Sequence, residues 1–162
     1  MVQNLIHQYN LLPHPEGGYF KETYRSTEII PASGLPLRFP AERTFSTSIY
    51  FLLLKDLFSA FHRIKSDECW HFYEGQSLLI HVLDPGGCLQ TITLGPGKES
   101  VYQYVVPAGC WFASEPAKGT TYSFVGCTVS PGFDFADFEL AGKEKLSAAY
   151  PDLREIINRL CR

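Results

Sequence analysis

Short runs of β-branched and aromatic residues recur along most of the chain, and turns rich in Gly and Pro separate them. Apolar and polar residues alternate within many of the runs, which is typical of strands that bury one face. Gly and Pro between the runs favour tight turns. The pattern predicts nine strands, near residues 18–24, 44–54, 59–64, 68–74, 78–84, 89–93, 102–106, 111–114 and 122–129.

Helical spacing of apolar residues is confined to the two ends of the chain. Near the amino end the apolar stripe stops at Pro13, which cannot continue a helix. Near the carboxyl end a second stripe follows Pro151, a residue that suits the first turn of a helix. The two stripes consist of Leu5, Ile6, Tyr9 and Leu12, and of Leu153, Ile156, Ile157 and Leu160. Many short strands with a short helix at each end predict an all-β sandwich or barrel.

The length of 162 residues is that of one ordinary domain. Hydrophobic residues make up 45% of the chain and charged residues 19%, which is the composition of a folded rather than a disordered protein. The loosest stretch, residues 26–42, is too short to separate two domains. We therefore expect one domain over residues 1–162, with an arm of helix, loop and strand over 1–42, a barrel over 43–140 and a C-terminal helix over 141–162.

The charge balance argues against nucleic acid as a partner. The chain has 14 Lys and Arg against 17 Asp and Glu, whereas phosphate backbones are bound by clustered basic residues. The longest apolar run, residues 49–54, is far too short to cross a bilayer, so no membrane partner is expected. The five cysteines form no Cys-x-x-Cys pair, and the amino end lacks the pattern of a secretory leader. We therefore expect reduced thiols and a cytoplasmic protein.

The candidate chemistry lies in the centre of the chain. His62 ends one predicted strand, and Glu68 begins the next after a short polar turn. In a hairpin with alternating faces, the two side chains can point to the same side. Trp70 shares the face of Glu68, so apolar walls would surround few ionisable groups. That composition is typical of a ligand pocket.

This stretch resembles the first motif of the cupin superfamily, with His62, Ile64, Glu68 and Gly75 at the matching positions. Residues 107–112 are similar to the second cupin motif, Pro-x-Gly-x-x-His, and end in Phe112. Segments 12–19, 24–26, 61–63, 68–72 and 129–135 resemble a branch of small one-domain cupins, cupin family five. The resemblance implies a double-stranded β-helix, which is a jelly-roll barrel with an interior ligand pocket, and a homodimer.

The resemblance also shows where this chain departs from metal-binding cupins. Those proteins place two His and a Glu in the first motif and a third His in the second. The chain has His62 and Glu68 at two of these positions, but Ile64 and Phe112 at the other two. Transition metals usually take at least three protein ligands. No cofactor is therefore expected, and a divalent metal on His62 and Glu68 would need further ligands from elsewhere.

Without a metal, a neutral imidazole that a carboxylate polarises can take a proton from a carbon next to a carbonyl. The metal-free sugar-nucleotide 3,5-epimerases are similar, with a cupin barrel, a His base and a Tyr acid. The resulting hypothesis is a small-molecule-binding cupin that acts as a metal-independent isomerase or epimerase on a sugar or sugar nucleotide. His62 would be the base and Glu68 would orient it. The alternatives are a ligand-binding cupin without chemistry and a metal-dependent cupin oxygenase or isomerase.

Tyr50 is the first candidate for the acid, because it shares the polar face of its predicted strand with Ser48. Tyr122 is the second candidate. The predicted ligand contacts are Ser48, Trp70, Phe112 and Tyr122.

Other polar residues keep two interpretations each. The segment from His14 to Gly18 is a turn, or a loop that closes the barrel mouth or a partner's pocket, and the turn is favoured. Arg25 and Arg43 are surface charge, or they bind an anionic ligand group, and surface charge is favoured. His71 and His81 are assigned to the outside of the sheets or an interface.

Overall fold

The computed structural model describes residues 2–15 and 17–162. Its α-helices are α1 (Val2–Tyr9), α2 (Lys143–Ala149) and α3 (Arg154–Leu160). Short 3-10 turns lie at Ala32–Gly34, Phe135–Asp137 and Pro151–Leu153. The strands are β1 (Leu12–Pro13), β2 (Tyr19–Arg25), β3 (Ile29–Ile30), β4 (Arg43–Thr44), β5 (Thr47–Leu54), β6 (Ser59–Arg63), β7 (Asp67–Gly75), β8 (Leu78–Leu83), β9 (Leu89–Leu94), β10 (Gln103–Val106), β11 (Trp111–Pro116), β12 (Tyr122–Ser130) and β13 (Glu139–Leu140).

Two antiparallel sheets form the body of the protein. The six-stranded sheet has the order β1-β2-β5-β12-β7-β10, and the five-stranded sheet has the order β13-β6-β11-β8-β9. Strands that are consecutive in the chain often lie in different sheets, so the sheets face each other in a jelly-roll arrangement. Within the described residues, the strand ladders do not join the two sheets into a closed barrel.

All nine predicted strands are present, as β2 and β5 to β12, with ends that shift by a few residues at most. The all-β prediction with short terminal helices is confirmed. The first helix ends at Tyr9, earlier than the apolar stripe suggests, because Leu12 and Pro13 pair with β2 instead. The single C-terminal helix expected over 141–162 is divided into α2 and α3, and Pro151 opens a 3-10 turn before α3 rather than the α-helix itself.

Apolar side chains pack in three layers. The main core lies between the sheets and includes Trp70 and Phe112. A second cluster packs α2 and α3 on the outer face of the five-stranded sheet, where Ile157 is fully buried. A third cluster packs α1 on the outer face of the six-stranded sheet around Leu52. Each fully buried aliphatic side chain contributes about 1.5–3 kcal/mol, so the terminal helices stabilise both sheets from outside.

The segment that follows β12, residues 131–138, turns back across one end of the sheets, and we call it the phenylalanine loop. Gly132 sits so close to Thr44 that a Cβ would collide with the threonine Oγ1. The carboxylate of Asp137 accepts two hydrogen bonds of 2.6 Å from Arg43 Nε and Nη2, and both side chains are only 4% exposed. Arg43 is therefore a buried structural residue, and its assignment to surface charge is wrong.

The described part of the chain has no helix that is both long and apolar enough to span a membrane.

Candidate functional site

A small cavity lies between the two sheets, with a volume of about 100 Å³. Side chains from β2, β5, β6, β7 and β12 line it, together with the phenylalanine loop. Most of its wall is apolar, and a few ionisable groups interrupt that wall, which is the usual make-up of a small-molecule site. The apolar wall includes Phe20, Ile49, Phe51, Ile64, Trp70 and Phe133.

His62 enters the cavity from the five-stranded sheet and is only 3% exposed. Its Nδ1 lies 2.7 Å from the carbonyl oxygen of Ala60. Because a carbonyl can only accept, Nδ1 carries the hydrogen, and the lone pair of the neutral ring is on Nε2. The Phe112 ring lies 4.1 Å from the imidazole, centroid to centroid, and packs against it. The backbone thus fixes which nitrogen of His62 is basic.

A bulge in β6 determines which of its side chains reach the cavity. The pairing with β11 shifts register between Ser59 and His62, so that both residues line the cavity although they are three positions apart. Bulges redirect side chains in this way next to many active sites. Strict alternation, on which the sequence interpretation relied, therefore overlooked Ser59.

The six-stranded sheet contributes Glu68 and Trp70, which lie two residues apart on β7 and both line the cavity. Glu68 is 8% exposed and Trp70 is 2% exposed. The indole Nε1–H of Trp70 has no hydrogen-bond acceptor among the described residues. A buried donor without an acceptor costs about 1–3 kcal/mol. A ligand oxygen in the cavity would recover that free energy if it accepted this bond.

An arginine–glutamate pair lies at the rim. Arg25 Nη2 and Nε donate to the Glu22 carboxylate at 2.7 and 3.1 Å, and Nη1 donates to the carbonyl of Phe133 at 3.1 Å. The pKa of Arg25 is raised, chiefly by its hydrogen bond to Glu22. Both side chains are 42% exposed, so they border the cavity opening while their charges offset each other. Arg25 therefore ties the phenylalanine loop to β2.

His14 lines the cavity, although the sequence favoured a purely structural turn for its segment over a loop at the barrel mouth. Its ring meets those of Phe20 and Phe51 edge-on, with centroids 4.7 and 5.7 Å away. Turn geometry alone explains the surrounding Pro and Gly residues, and for that reason the structural interpretation was favoured. The chain thus brings His14 and His62 to one cavity from opposite sheets.

Comparison with known proteins identifies the family of this chain. Residues 3–141 match the family described as Cupin superfamily (DUF985). The chain belongs to the cupin superfamily. This confirms the family that the two sequence motifs and the amino-terminal segment indicated.

Three similar proteins extend the comparison. Protein SO0799 from Shewanella oneidensis is 40% identical, with a TM-score of 0.88 over 99% of this cupin and 96% of that chain. The uncharacterized protein YML079W of Saccharomyces cerevisiae is 32% identical over 90% of this chain and 78% of its own length. Oxalate decarboxylase from Bacillus subtilis is 17% identical, with a TM-score of 0.55 over 91% of this chain and 36% of that one. This last likeness shows the fold alone.

Two predicted site residues of this cupin, Tyr50 and Ser48, lie on the outer face of the six-stranded sheet. The Tyr50 ring packs against that of Tyr9 in α1 at 4.9 Å, and Ser48 Oγ lies 3.3 Å from Thr128 Oγ1. Thr47, Ile49 and Phe51 of β5 face the cavity instead. The prediction that the polar face of this strand lines the pocket is therefore wrong.

Two further predicted ligand contacts, Phe112 and Tyr122, are not among the described residues that line the cavity. Phe112 is 1% exposed and contacts the His62 ring in the main core. The Tyr122 hydroxyl donates to Glu74 at 2.7 Å, and this hydrogen bond is the main reason that its pKa is raised. Tyr122 packs in the cluster around α1, away from His62. Its location therefore gives no support to a role as the catalytic acid.

The donor set of this cupin does not fit a transition metal. Ile64 and Phe112 are both buried hydrocarbon side chains at two of the four motif positions. In the described part of the chain, no group of three or more His, Cys, Asp and Glu side chains is placed to hold a metal ion. A His–Glu pair alone supplies fewer ligands than iron, zinc or manganese usually take.

Proposed function

We propose that this cupin is a metal-independent isomerase or epimerase of a sugar or a related small polar molecule. The fixed tautomer of His62 is the observation that carries the proposal. It leaves Nε2 as the basic nitrogen of an imidazole that lines the cavity. An imidazole nitrogen can both accept and donate a proton, so this group suits both removal and return of a proton.

In the proposed reaction, Nε2 of His62 takes a proton from the carbon next to a substrate carbonyl. The imidazolium that forms carries a positive charge inside a largely apolar cavity. Glu68 lines the same cavity from the opposite sheet, and its carboxylate stabilises that charge. Phe112 packs against the ring of His62 and is a positioning residue.

The cavity volume limits the enclosed part of the substrate. Drug-sized ligands occupy pockets of roughly 300–1,000 Å³, so a cavity of about 100 Å³ encloses a small molecule or one end of a larger one. A sugar nucleotide would therefore leave its nucleotide outside, beyond the rim formed by Arg25 and Glu22. A small sugar or sugar-like carbonyl compound is the substrate class that we favour.

An epimerase also needs a group that returns a proton to the opposite face of the carbon. No tyrosine is among the described residues that line the cavity. We assign this role to His14, which packs on Phe20 and Phe51 of the six-stranded sheet, whereas His62 belongs to the five-stranded sheet. This assignment replaces Tyr50 and Tyr122 in the mechanism.

The test is solvent hydrogen exchange. The protein is purified without a metal-affinity step, its metal content is measured by mass spectrometry, and it is treated with a chelator. It is then incubated in D2O with a panel of aldoses, ketoses and nucleotide sugars, and NMR follows the C–H next to each carbonyl. We expect exchange that the chelator leaves intact and that His62→Asn abolishes with little change in melting temperature.

The matched control is His71→Asn. His71 lies on the outer face of the six-stranded sheet, with Nε2 3.1 Å from Thr128 Oγ1, so its loss should leave exchange unchanged. Exchange that survives His62→Asn would refute the mechanism. Exchange that needs a stoichiometric metal would favour the metal-dependent alternative. A compound that binds tightly and exchanges no hydrogen would favour a ligand-binding cupin without chemistry.

We also propose a homodimer that uses the outer face of the six-stranded sheet. Tyr73 on β7 and Val105 on the adjacent β10 are 51% and 48% exposed. Exposed apolar side chains on a sheet face favour contact with another such face. Light scattering should give twice the monomer mass, and Tyr73→Glu should reduce it to the monomer mass. A wild-type monomer at micromolar concentration would contradict the proposal.

The thiols support a reducing compartment, and we propose the cytoplasm. The five cysteines, all among the described residues, are in no disulfide, and three of them, Cys110, Cys127 and Cys161, are buried. Reduced thiols persist in the cytoplasm, whereas secreted proteins commonly oxidise theirs. Fractionation of cells that express the untagged protein tests the location, and recovery outside the cytoplasmic fraction would refute it.

A further inference from the structure

We infer that the indole N–H of Trp70 binds the substrate's carbonyl oxygen, and that the substrates are uncharged carbonyl compounds rather than carboxylates. The inference rests on the proposed function, because it names the oxygen partner and the substrate class for the same cavity. It concerns a side chain to which the cupin resemblance assigns no role.

Trp70 presents a donor in a place where the described residues offer no acceptor. The residue is 2% exposed and lines the cavity. Its ring meets those of Phe51 and Phe112 edge-on, with centroids 5.9 and 6.3 Å away. Neither phenylalanine side chain has an oxygen or nitrogen that could accept a hydrogen bond. Nε1 finds no acceptor among the described residues. Buried indole N–H groups usually find a partner, so a ligand that lies in the cavity is the natural acceptor.

The positions of Trp70 and His62 suit opposite sides of one substrate. Trp70 belongs to β7 in the six-stranded sheet, and His62 belongs to β6 in the five-stranded sheet. Both line the space between the sheets. A carbonyl compound in that space would direct its oxygen toward one sheet and the adjacent C–H toward the other.

The charges of the cavity favour an uncharged substrate. Of the described residues that line it, Arg25 is the single Lys or Arg. Its Nε and Nη2 donate to the Glu22 carboxylate, and its Nη1 donates to the Phe133 carbonyl. Glu68 adds a further carboxylate to the wall. A substrate carboxylate would meet this negative charge with no unengaged guanidinium to bind it, whereas a neutral carbonyl would need only one donor.

The chemical step then balances within the site. His62 Nε2 takes the proton, and the C–H electron pair becomes the C=C bond of an enolate while the carbonyl π pair moves onto oxygen. Trp70 donates a hydrogen bond to that oxyanion and keeps its own proton. The C=O bond re-forms when a proton returns to carbon. A donor that faces developing negative charge acts most strongly in the transition state, so Trp70 should affect kcat more than KM.

The first measurement uses the two tryptophans of the chain as probes. Protein labelled with 15N gives one indole signal each for Trp70 and Trp111, and Trp70→Phe assigns them. Trp111 is the internal control because it lies at β11 under the Arg63 guanidinium, 4.5 Å from its ring centroid, and does not line the cavity. Titration with dihydroxyacetone should shift the Trp70 signal and leave that of Trp111 in place. Pyruvate, a carboxylate of similar size, should shift neither at the same concentration.

The second measurement is kinetic. Trp70→Phe keeps an aromatic ring but removes the donor, and loss of an oxyanion donor lowers kcat by about 100-fold or more. Trp111→Phe should leave kcat within a factor of two, which is about the precision of the comparison. A Trp70 signal that no neutral carbonyl probe moves would overturn the inference, as would tighter binding of pyruvate than of dihydroxyacetone.

The two proposals fail in different ways. If Trp70→Phe folds and exchanges hydrogen at the wild-type rate, the role of Trp70 is wrong and the role of His62 stands. If the Trp70 signal shifts with dihydroxyacetone but the wild-type protein exchanges no hydrogen, the isomerase proposal is wrong and the carbonyl-binding role stands.

Discussion

The ion pair between Arg43 and Asp137 connects the start of the barrel to the phenylalanine loop, and its removal is the sharpest stability test. The two side chains share two hydrogen bonds of 2.6 Å and are each 4% exposed. Arg43 Nη1 also donates to the carbonyls of Ala41 and Glu42, at 3.1 and 2.6 Å. Arg43→Met would leave the Asp137 carboxylate buried, with Lys65 Nζ 3.7 Å away as its remaining cation.

The expected cost follows from burial. Removal of one partner of a buried ion pair costs about 3–5 kcal/mol, because the other charge stays desolvated. In a domain of this size each kcal/mol lowers the melting temperature by roughly 2–4 °C, so Arg43→Met should lower it by about 6–20 °C. The double variant Arg43→Met with Asp137→Leu removes both charges and should be more stable than Arg43→Met alone.

The matched control is the exposed pair between Arg63 and Glu139. These atoms are as close, at 2.6 Å, but the side chains are 42% and 46% exposed. Exposed pairs contribute about 0–1 kcal/mol, so Arg63→Met should cost little beyond its contact with Trp111. Urea unfolding of the four proteins measures the differences. Equal costs for Arg43→Met and Arg63→Met would refute the argument that burial determines the cost.

Three further outcomes are expected. Burial lowers the pKa of His81 below its ordinary value near 6.5, so the unfolded chain gains its proton first as the pH falls. The free energy of unfolding should therefore decrease below about pH 6.5, as measured by urea titration. The decrease should be smaller in His81→Gln. It should be as large as in the wild type in His7→Gln, which changes an exposed residue. A thiol reagent should modify Cys88 rapidly, because Cys88 is the exposed one of the five cysteines. An equally fast reaction in the variant Cys88→Ser would contradict this. The double variant Ile64→His with Phe112→His should add two metal ligands to His62 and Glu68 and should therefore bind zinc. Mass spectrometry measures the bound zinc, and either single variant should bind it less tightly.

The strands could be predicted because turn residues and alternation both mark them. Gly and Pro stand between the runs, and each long strand of the two sheets begins within a few residues of a predicted start. The division of the C-terminal helix into α2 and α3 lacked such marks, because the α2 sequence has one strongly apolar residue, Leu146, among Lys, Glu, Ser and Ala. The helical structure of α2 depends on the packing of Leu146 against the five-stranded sheet, which is a tertiary contact.

The inward face of β5 was predicted with the wrong phase for a physical reason. Ligand pockets contain polar groups, so the phase with Ser48 and Tyr50 looked suited to the cavity. The structure buries Phe51 between the sheets and leaves Tyr50 for α1 to cover. Burial of the more apolar face decides the register of a strand, and the ionisable groups His62 and Glu68 reach this cavity from β6 and β7 instead.

Long-range contacts could not be read from the sequence at all. Arg43 and Asp137 lie 94 residues apart, and neither has a neighbour in the sequence that marks it as buried. His14 directly follows β1, and it reaches the cavity because the pairing of β1 with β2 brings its ring against Phe51. Sequence patterns report the local environment of a residue, whereas these contacts depend on how the sheets assemble.

Metal binding and proton transfer require different side chains in a cupin cavity. The side chains present therefore distinguish the proposed function from its metal-dependent alternative. A metal needs three or more convergent donors, whereas proton transfer needs one imidazole with a defined basic nitrogen. In the described residues, Ile64 and Phe112 are hydrocarbon side chains at two of the four ligand positions, so too few donors converge for a metal. The hydrogen bond from His62 Nδ1 to the Ala60 carbonyl defines Nε2 as the basic nitrogen, which is what proton transfer needs. Phe112 stands at a ligand position of metal-binding cupins and here packs on His62 at 4.1 Å. The same side chain that removes a metal ligand therefore helps to hold the base in place.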